Sequence, residues 1–114
     1  MRDHRKLQVF VSAERLALQV HEAANALPRD ETFLLAHQLR SSAVSIASNI
    51  AEGCARRSRK EYVYFLTVAY GSARELEYQL SLARHLGYPI PPELENSAGE
   101  ICQALRTLIQ SQVS

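Results

Sequence analysis

The residues best suited to contact another molecule are basic, and they cluster. Arg56, Arg57, Arg59 and Lys60 stand almost side by side, and Arg2, Arg5 and Lys6 crowd the beginning of the sequence. Groups at that density could hold phosphate oxygens, with Arg offering planar, bidentate contact. A helix N-terminus just after the cluster would add backbone donors. The competing reading is a solvated end whose arginines complement the C-terminal dipole of the preceding helix. No aromatic residue stands within the cluster, so phosphate backbone or shape is the expected target rather than base sequence.

Two further sets have telling spacing. Ser42, Ser45, Asn49 and Glu52 fall on one side of a helix, in a stretch rich in Ser and Asn that propensity alone does not favour. Glu61, Ser72, Glu75 and Gln79 form a flank on the next helical segment. The two flanks could satisfy each other across a helix pair or line a polar binding groove. The second set is Tyr64, Gly71, Tyr78 and His85, each seven residues apart on the back of the same segment. Such a stripe suits contact between subunits, with Gly71 admitting a close backbone; scattered surface tyrosines are the plainer reading.

Residues for catalysis are scarce. The chain has no Glu-x-x-His repeat, no His-Glu-x-x-His, no Gly-rich phosphate loop and no nucleophile elbow. Arg15 and His21 match the loose Arg-x5-His spacing of small helical ribonucleases. Six residues along a regular helix, however, set two side chains about 120° apart. The expectation is a protein without enzymatic activity, bound metal or cofactor.

The elements that would position these residues are helices. Apolar residues recur at helical spacing in four segments, for example Leu35, Leu39, Ala43, Ile46 and Ile50, or Tyr62, Leu66, Ala69, Ala73, Leu76 and Leu80. Breaks fall around Pro28, after Gly53 and at Gly87–Pro92. Asp30 reads as an N-cap, and Ser58 with Glu61 as a capping box. Helices are expected at about 5–27, 31–53, 59–87 and 92–112, with the last weakened by Gly99. Short connections make them an all-α, up-down-up-down antiparallel four-helix bundle, one domain over 1–114. In that topology the N-terminus and the second-to-third turn share one pole, which would gather seven of the 13 basic residues. A third helix of roughly 30 residues, about 45 Å long, would protrude or scaffold an assembly.

Composition agrees with this picture. The 114 residues are 46% hydrophobic, enough for an ordinary core, and the formal charge is only +1. Any electrostatic binding must therefore come from local clustering. Cys54 and Cys102 form no paired motif and read as reduced thiols. With no secretory signal or membrane-length apolar run, a cytoplasmic protein that does not engage a membrane is expected.

The run Gln38-Leu39-Arg40-Ser41-Ser42-Ala43-Val44-Ser45-Ile46-Ala47-Ser48-Asn49-Ile50-Ala51-Glu52-Gly53 resembles a bacterial family signature. Arg57-Ser58-Arg59-Lys60-Glu61, Phe65-Leu66 and Ala69-Tyr70-Gly71-Ser72-Ala73-Arg74-Glu75-Leu76-Glu77 extend the match over nearly the whole chain. The family is that of four-helix-bundle proteins encoded in intervening sequences of 23S ribosomal RNA genes. It is related to the accessory variability proteins of diversity-generating retroelements. The resemblance implies a pentameric ring, and its retroelement members resemble nucleic-acid-binding partners of a reverse transcriptase. It carries over Asn49, Glu52, Gly53, Arg57, Ser58, Glu61, Gly71, Ser72 and Glu75. Ser41 stands where the family often has a second basic residue, and the near-neutral charge differs from the strongly basic retroelement members. The resulting expectation is a homo-oligomeric bundle that binds RNA or DNA backbone through its basic pole. A protein-binding adaptor that never touches nucleic acid is the alternative.

Overall fold

Each of the four segments carries one apolar face that water disfavours, and the chain buries those faces against one another. The computed structural model describes residues 2–113, apart from the side chains of Thr32 and Phe33. Helix α1 spans Gln8–Ala24, α2 His37–Cys54, α3 Arg59–His85 and α4 Pro92–Val113. They form the expected all-α four-helix bundle, with α2 on α3 and α3 on α4 as the largest interfaces and α1 closing the ring against α2 and α4. The core is aliphatic: Leu16, Leu39, Ile46, Ile50, Leu66, Leu76, Leu80 and Leu105 are fully buried. Ala13, Ala43, Ala69, Ala73 and Ala98 lie among them, letting the helices approach closely.

Several boundaries differ from the periodicity. Helix α1 begins at Gln8 rather than near residue 5, because Leu7 is extended and His4–Lys6 forms a separate 3-10 turn capped by Asp3. Asp30 caps no helix; it lies inside a second 3-10 turn, Arg29–Glu31. A π-helical turn at Thr32–Ala36 then runs directly into α2. The third helix ends at His85, and Gly87, at φ 88°, reverses the chain in a conformation that suits glycine. At 27 residues α3 is about 40 Å long, close to the 43 Å length of the molecule. It therefore runs nearly the full length of the molecule and is longer than α1, α2 or α4. Gly99 does not interrupt α4: a Cβ there would lie 2.9 Å from Glu77 Oε2, so the glycine makes room for that carboxylate.

At the pole carrying the α1–α2 and α3–α4 links, Tyr88 Oη donates a 2.5 Å hydrogen bond to Glu31 Oε2. That bond pushes the phenol up to about 12 from its ordinary 10.0, since ionisation would set a phenolate against a carboxylate. The folded state thus holds this proton more tightly than the unfolded chain does. Its stabilising contribution is present below about pH 10 and is lost as pH rises toward 12. In an alkaline titration followed by phenolate absorbance, Tyr88→Phe is expected to remove the component ionising near pH 12. An unchanged late component in the variant would disprove this assignment.

Candidate nucleic-acid interface

The basic pole is built by a short arm. Arg2 N–H donates to Cys54 O across 2.8 Å, pinning the N-terminal segment to the last turn of α2. The same residue lays its guanidinium 3.8 Å from the centroid of the Tyr62 ring, closing the core from below. Tyr62 is buried, and desolvation raises its phenol above the ordinary value. Asp3 accepts from Arg5 N and pairs with its guanidinium at 2.9 Å; this hydrogen bonding lowers the Asp3 carboxyl and raises Arg5. Arg5 is exposed and Asp3 is only half-buried, so solvent screens the pair.

The second half of the pole is the turn between α2 and α3. Ser58 caps α3 by accepting from Glu61 N–H at 3.1 Å, the first half of the predicted capping box, and Glu61 meets the Ser58 hydroxyl, which donates to its carboxylate. Arg56 folds back along α2 to pair with Glu52, one turn earlier, and its guanidinium lies 4.8 Å from the Phe65 ring centroid. Its Nε is buried without a hydrogen-bond partner. The seven basic residues thus share one end but divide by role. Arg2 and Arg56 pack on aromatic rings and Arg5 is held by Asp3. Lys6, Arg57, Arg59 and Lys60 are exposed and, among the described residues, make no ion pair. Arg59 and Lys60 open α3, where backbone N–H groups lack helical partners.

The polar flanks meet along the α2–α3 seam. Asn49 Nδ2 donates to Ser45 O at 2.8 Å and to Ser45 Oγ at 3.0 Å, and Ser45 and Ser72 share a 2.8 Å hydroxyl contact. Ser42 Oγ lies 3.0 Å from Glu75 Oε1 and 2.9 Å from Gln79 Oε1. A hydroxyl has one proton, which goes to the carboxylate. Turning the Gln79 amide by half a turn then lets it donate to Ser42. Glu52 and Glu61 stand outside this network, because each has a nearer partner, in Arg56 and Ser58.

On the outer face of α3, Tyr64 and Tyr78 are 62% and 64% exposed, and Gly71 between them has open space where a side chain would be. His85 lies back on its helix, with Nδ1 2.7 Å from Ser81 O. Arg15 and His21 are parted by α1 itself. Arg15 lines a cleft toward α4 with Ser97 and Glu100, whereas His21 lines a depression toward α2 with His37 and Arg40. Arg40 ties α2 to α1. It donates to Asn25 Oδ1 at 2.5 Å and to His21 O at 3.3 Å, placing its charge at the negative end of α1. Sequence spacing did not reveal that tie, because its partners lie in another helix.

Cys54 and Cys102 are free and buried, and burial pushes both thiols up. Among the described residues, no group of three or more His, Cys, Asp or Glu could hold a metal ion, and no helix is long and apolar enough to cross a membrane.

The chain is similar to a solved structure from Bacteroides thetaiotaomicron VPI-5482, described as a protein with unknown function from the S23 ribosomal protein family. The two share 26% identity over 89% of this chain and 97% of that one, with a TM-score of 0.81. No curated protein matches the sequence. The family model described as 23S rRNA-intervening sequence protein matches residues 5–111, spanning both the polar seam and most of the basic pole. The protein therefore belongs to the 23S rRNA-intervening sequence protein family.

Proposed function

We propose that this protein is a non-enzymatic, self-associating bundle that holds the phosphate backbone of RNA or DNA at its basic pole. The observation that carries the reading is the set Lys6, Arg57, Arg59 and Lys60. These four exposed cations make no ion pair among the described residues, and they are gathered by an arm and a capped turn that are themselves tied down. Charge left unpaired at one place on a chain of net +1 is charge available to a ligand.

The test is titration of labelled structured RNA and duplex DNA at low and physiological salt. Four phosphate contacts should make log affinity for duplex DNA fall with log salt at a slope of about −3.6. No binding even at low salt would remove the reading. It would leave the protein-binding alternative, for which the α1–α4 cleft, floored by Val9, Leu16 and Ile101, is the available surface.

Self-association would use the outer face of α3, where Gly71 leaves room for a neighbouring backbone beside Tyr78. Five copies is the number the family resemblance implies. A Cβ at Gly71 meets nothing within 4 Å, so Gly71→Arg should keep its fold while the assembly falls to smaller species in light scattering. An unchanged mass would place the interface elsewhere.

A further inference from the structure

We propose that Tyr64 is a base-stacking platform at the edge of the basic pole, so that the preferred ligand is a single-stranded nucleic acid. This inference rests on the backbone-binding reading above and adds that the bases are touched. It departs from the sequence-based expectation that aromatic contact plays no part.

The cluster holds no aromatic in sequence, but the helix brings two beside it. Lys60 and Tyr64 stand one turn apart on α3, and Arg56, Lys60, Glu61, Tyr64 and Phe65 line one open depression. The Tyr64 ring is held, since it meets Phe65 edge-on at 5.1 Å with an interplanar angle of 83°. It is also bare. Tyr62 is covered by Arg2, and Tyr70 accepts from Arg106, whereas the Tyr64 hydroxyl makes no hydrogen bond among the described residues. An exposed ring beside an ammonium is the pairing that single strands use: the π-face takes a base and the cation takes the adjoining phosphate.

The local charges favour that arrangement. Glu52 offsets Arg56, and Glu61 keeps its negative charge because its Ser58 partner is a neutral hydroxyl; Lys60 with Arg57 and Arg59 outweighs that single carboxylate and supplies the field toward a strand. A duplex keeps its base faces stacked on one another and cannot present them to Tyr64, whereas an unpaired strand can. Tyr64 lies two turns nearer the pole than Gly71, which leaves Gly71 and Tyr78 free for assembly.

The experiment compares two ligands with the same backbone: labelled oligothymidylate of about 12 nucleotides, and a deoxyribose-phosphate oligomer of equal length without bases. Tyr64→Ala is expected to weaken oligothymidylate binding about tenfold and to leave the abasic oligomer unchanged. Tyr64→Phe, which keeps the ring, should bind as the parent does. Thymidine monophosphate should compete only weakly, because it offers one phosphate; competition equal to that of the strand would overturn the strand assignment. Equal losses for both oligomers in Tyr64→Ala, or no loss for either, would overturn stacking while the backbone reading stands. Failure of the parent protein to bind either oligomer would overturn the single-strand assignment, while the backbone reading stands or falls on the structured-RNA and duplex titration.

Discussion

A chain carrying Glu in place of Arg57, Arg59 and Lys60 is expected to lose nucleic-acid binding on the order of 100-fold or more while its fold becomes no weaker. The two halves of this expectation have separate causes. All three side chains are exposed and none makes an ion pair among the described residues, so their removal breaks no internal contact. Arg59 and Lys60 occupy the first turn of α3, where an acidic residue complements the helix dipole by about 0.3–1 kcal/mol each. Stability should hold or rise slightly as binding falls. With three phosphate contacts removed, the salt slope should flatten by about 2. Anisotropy titration and thermal melting of the same sample report both. Affinity within twofold of the parent would show that phosphate is held elsewhere, or not at all. Arg2 and Arg56 are unsuitable for such a test. Reversing either would set a carboxylate over an aromatic ring, and at Arg56 beside Glu52 as well, confusing lost binding with a loosened pole.

Gly53→Val is expected to lower stability by about 3 kcal/mol, a fall in melting temperature on the order of 10 °C. A Cβ at Gly53 would lie 2.9 Å from Phe65 Cβ and 3.3 Å from Tyr62 O. Neither atom is the end of a side chain that could swing aside, so α2 and α3 must part at the turn that shapes the pole. Gly53→Ala should show the same sign, by about 1–2 kcal/mol, because the clash exceeds its gain in helix propensity. Gly71→Ala is the internal control. It meets nothing within 4 Å and should stabilise the monomer by up to about 1 kcal/mol. Equal melting temperatures for the Gly53 variants and the parent would refute the close-approach account.

The contrast between these two glycines shows what the sequence made legible. Both stand in the family-like motifs, yet one marks helix contact within the chain and the other open surface. Local features were readable because both partners lie within a few residues: Ser58 caps α3 and meets Glu61 as their spacing predicts, and the four apolar stripes found the core. Features decided through space were not. Glu52 shares a helix face with Ser45 and Asn49, but Arg56, one turn away, takes its carboxylate. The π-helical turn at Thr32–Ala36 has no spacing signature, and the closeness of Tyr64 to the basic cluster depends on how α2 hands over to α3. The candidate site was thus legible as a set of charges, while its division into packed and available arginines came from aromatic rings in another helix.

The polar seam has one further consequence, which concerns alignment along the helix axes. Alanines and leucines recur so regularly on α2 and α3 that sliding one helix by a turn, about 5.4 Å, would again set apolar ridge against apolar groove. Hydrophobic contact, being non-directional, discriminates poorly between such settings. Ser42 with Glu75 and Gln79, and Ser45 with Ser72, meet in only one of them, and a slip would leave Gln79 buried without its hydroxyl. These small side chains act as a vernier: they fix which turn of α2 faces which turn of α3, and hence how Arg56, Arg57, Arg59 and Lys60 are laid out beyond the end of the seam.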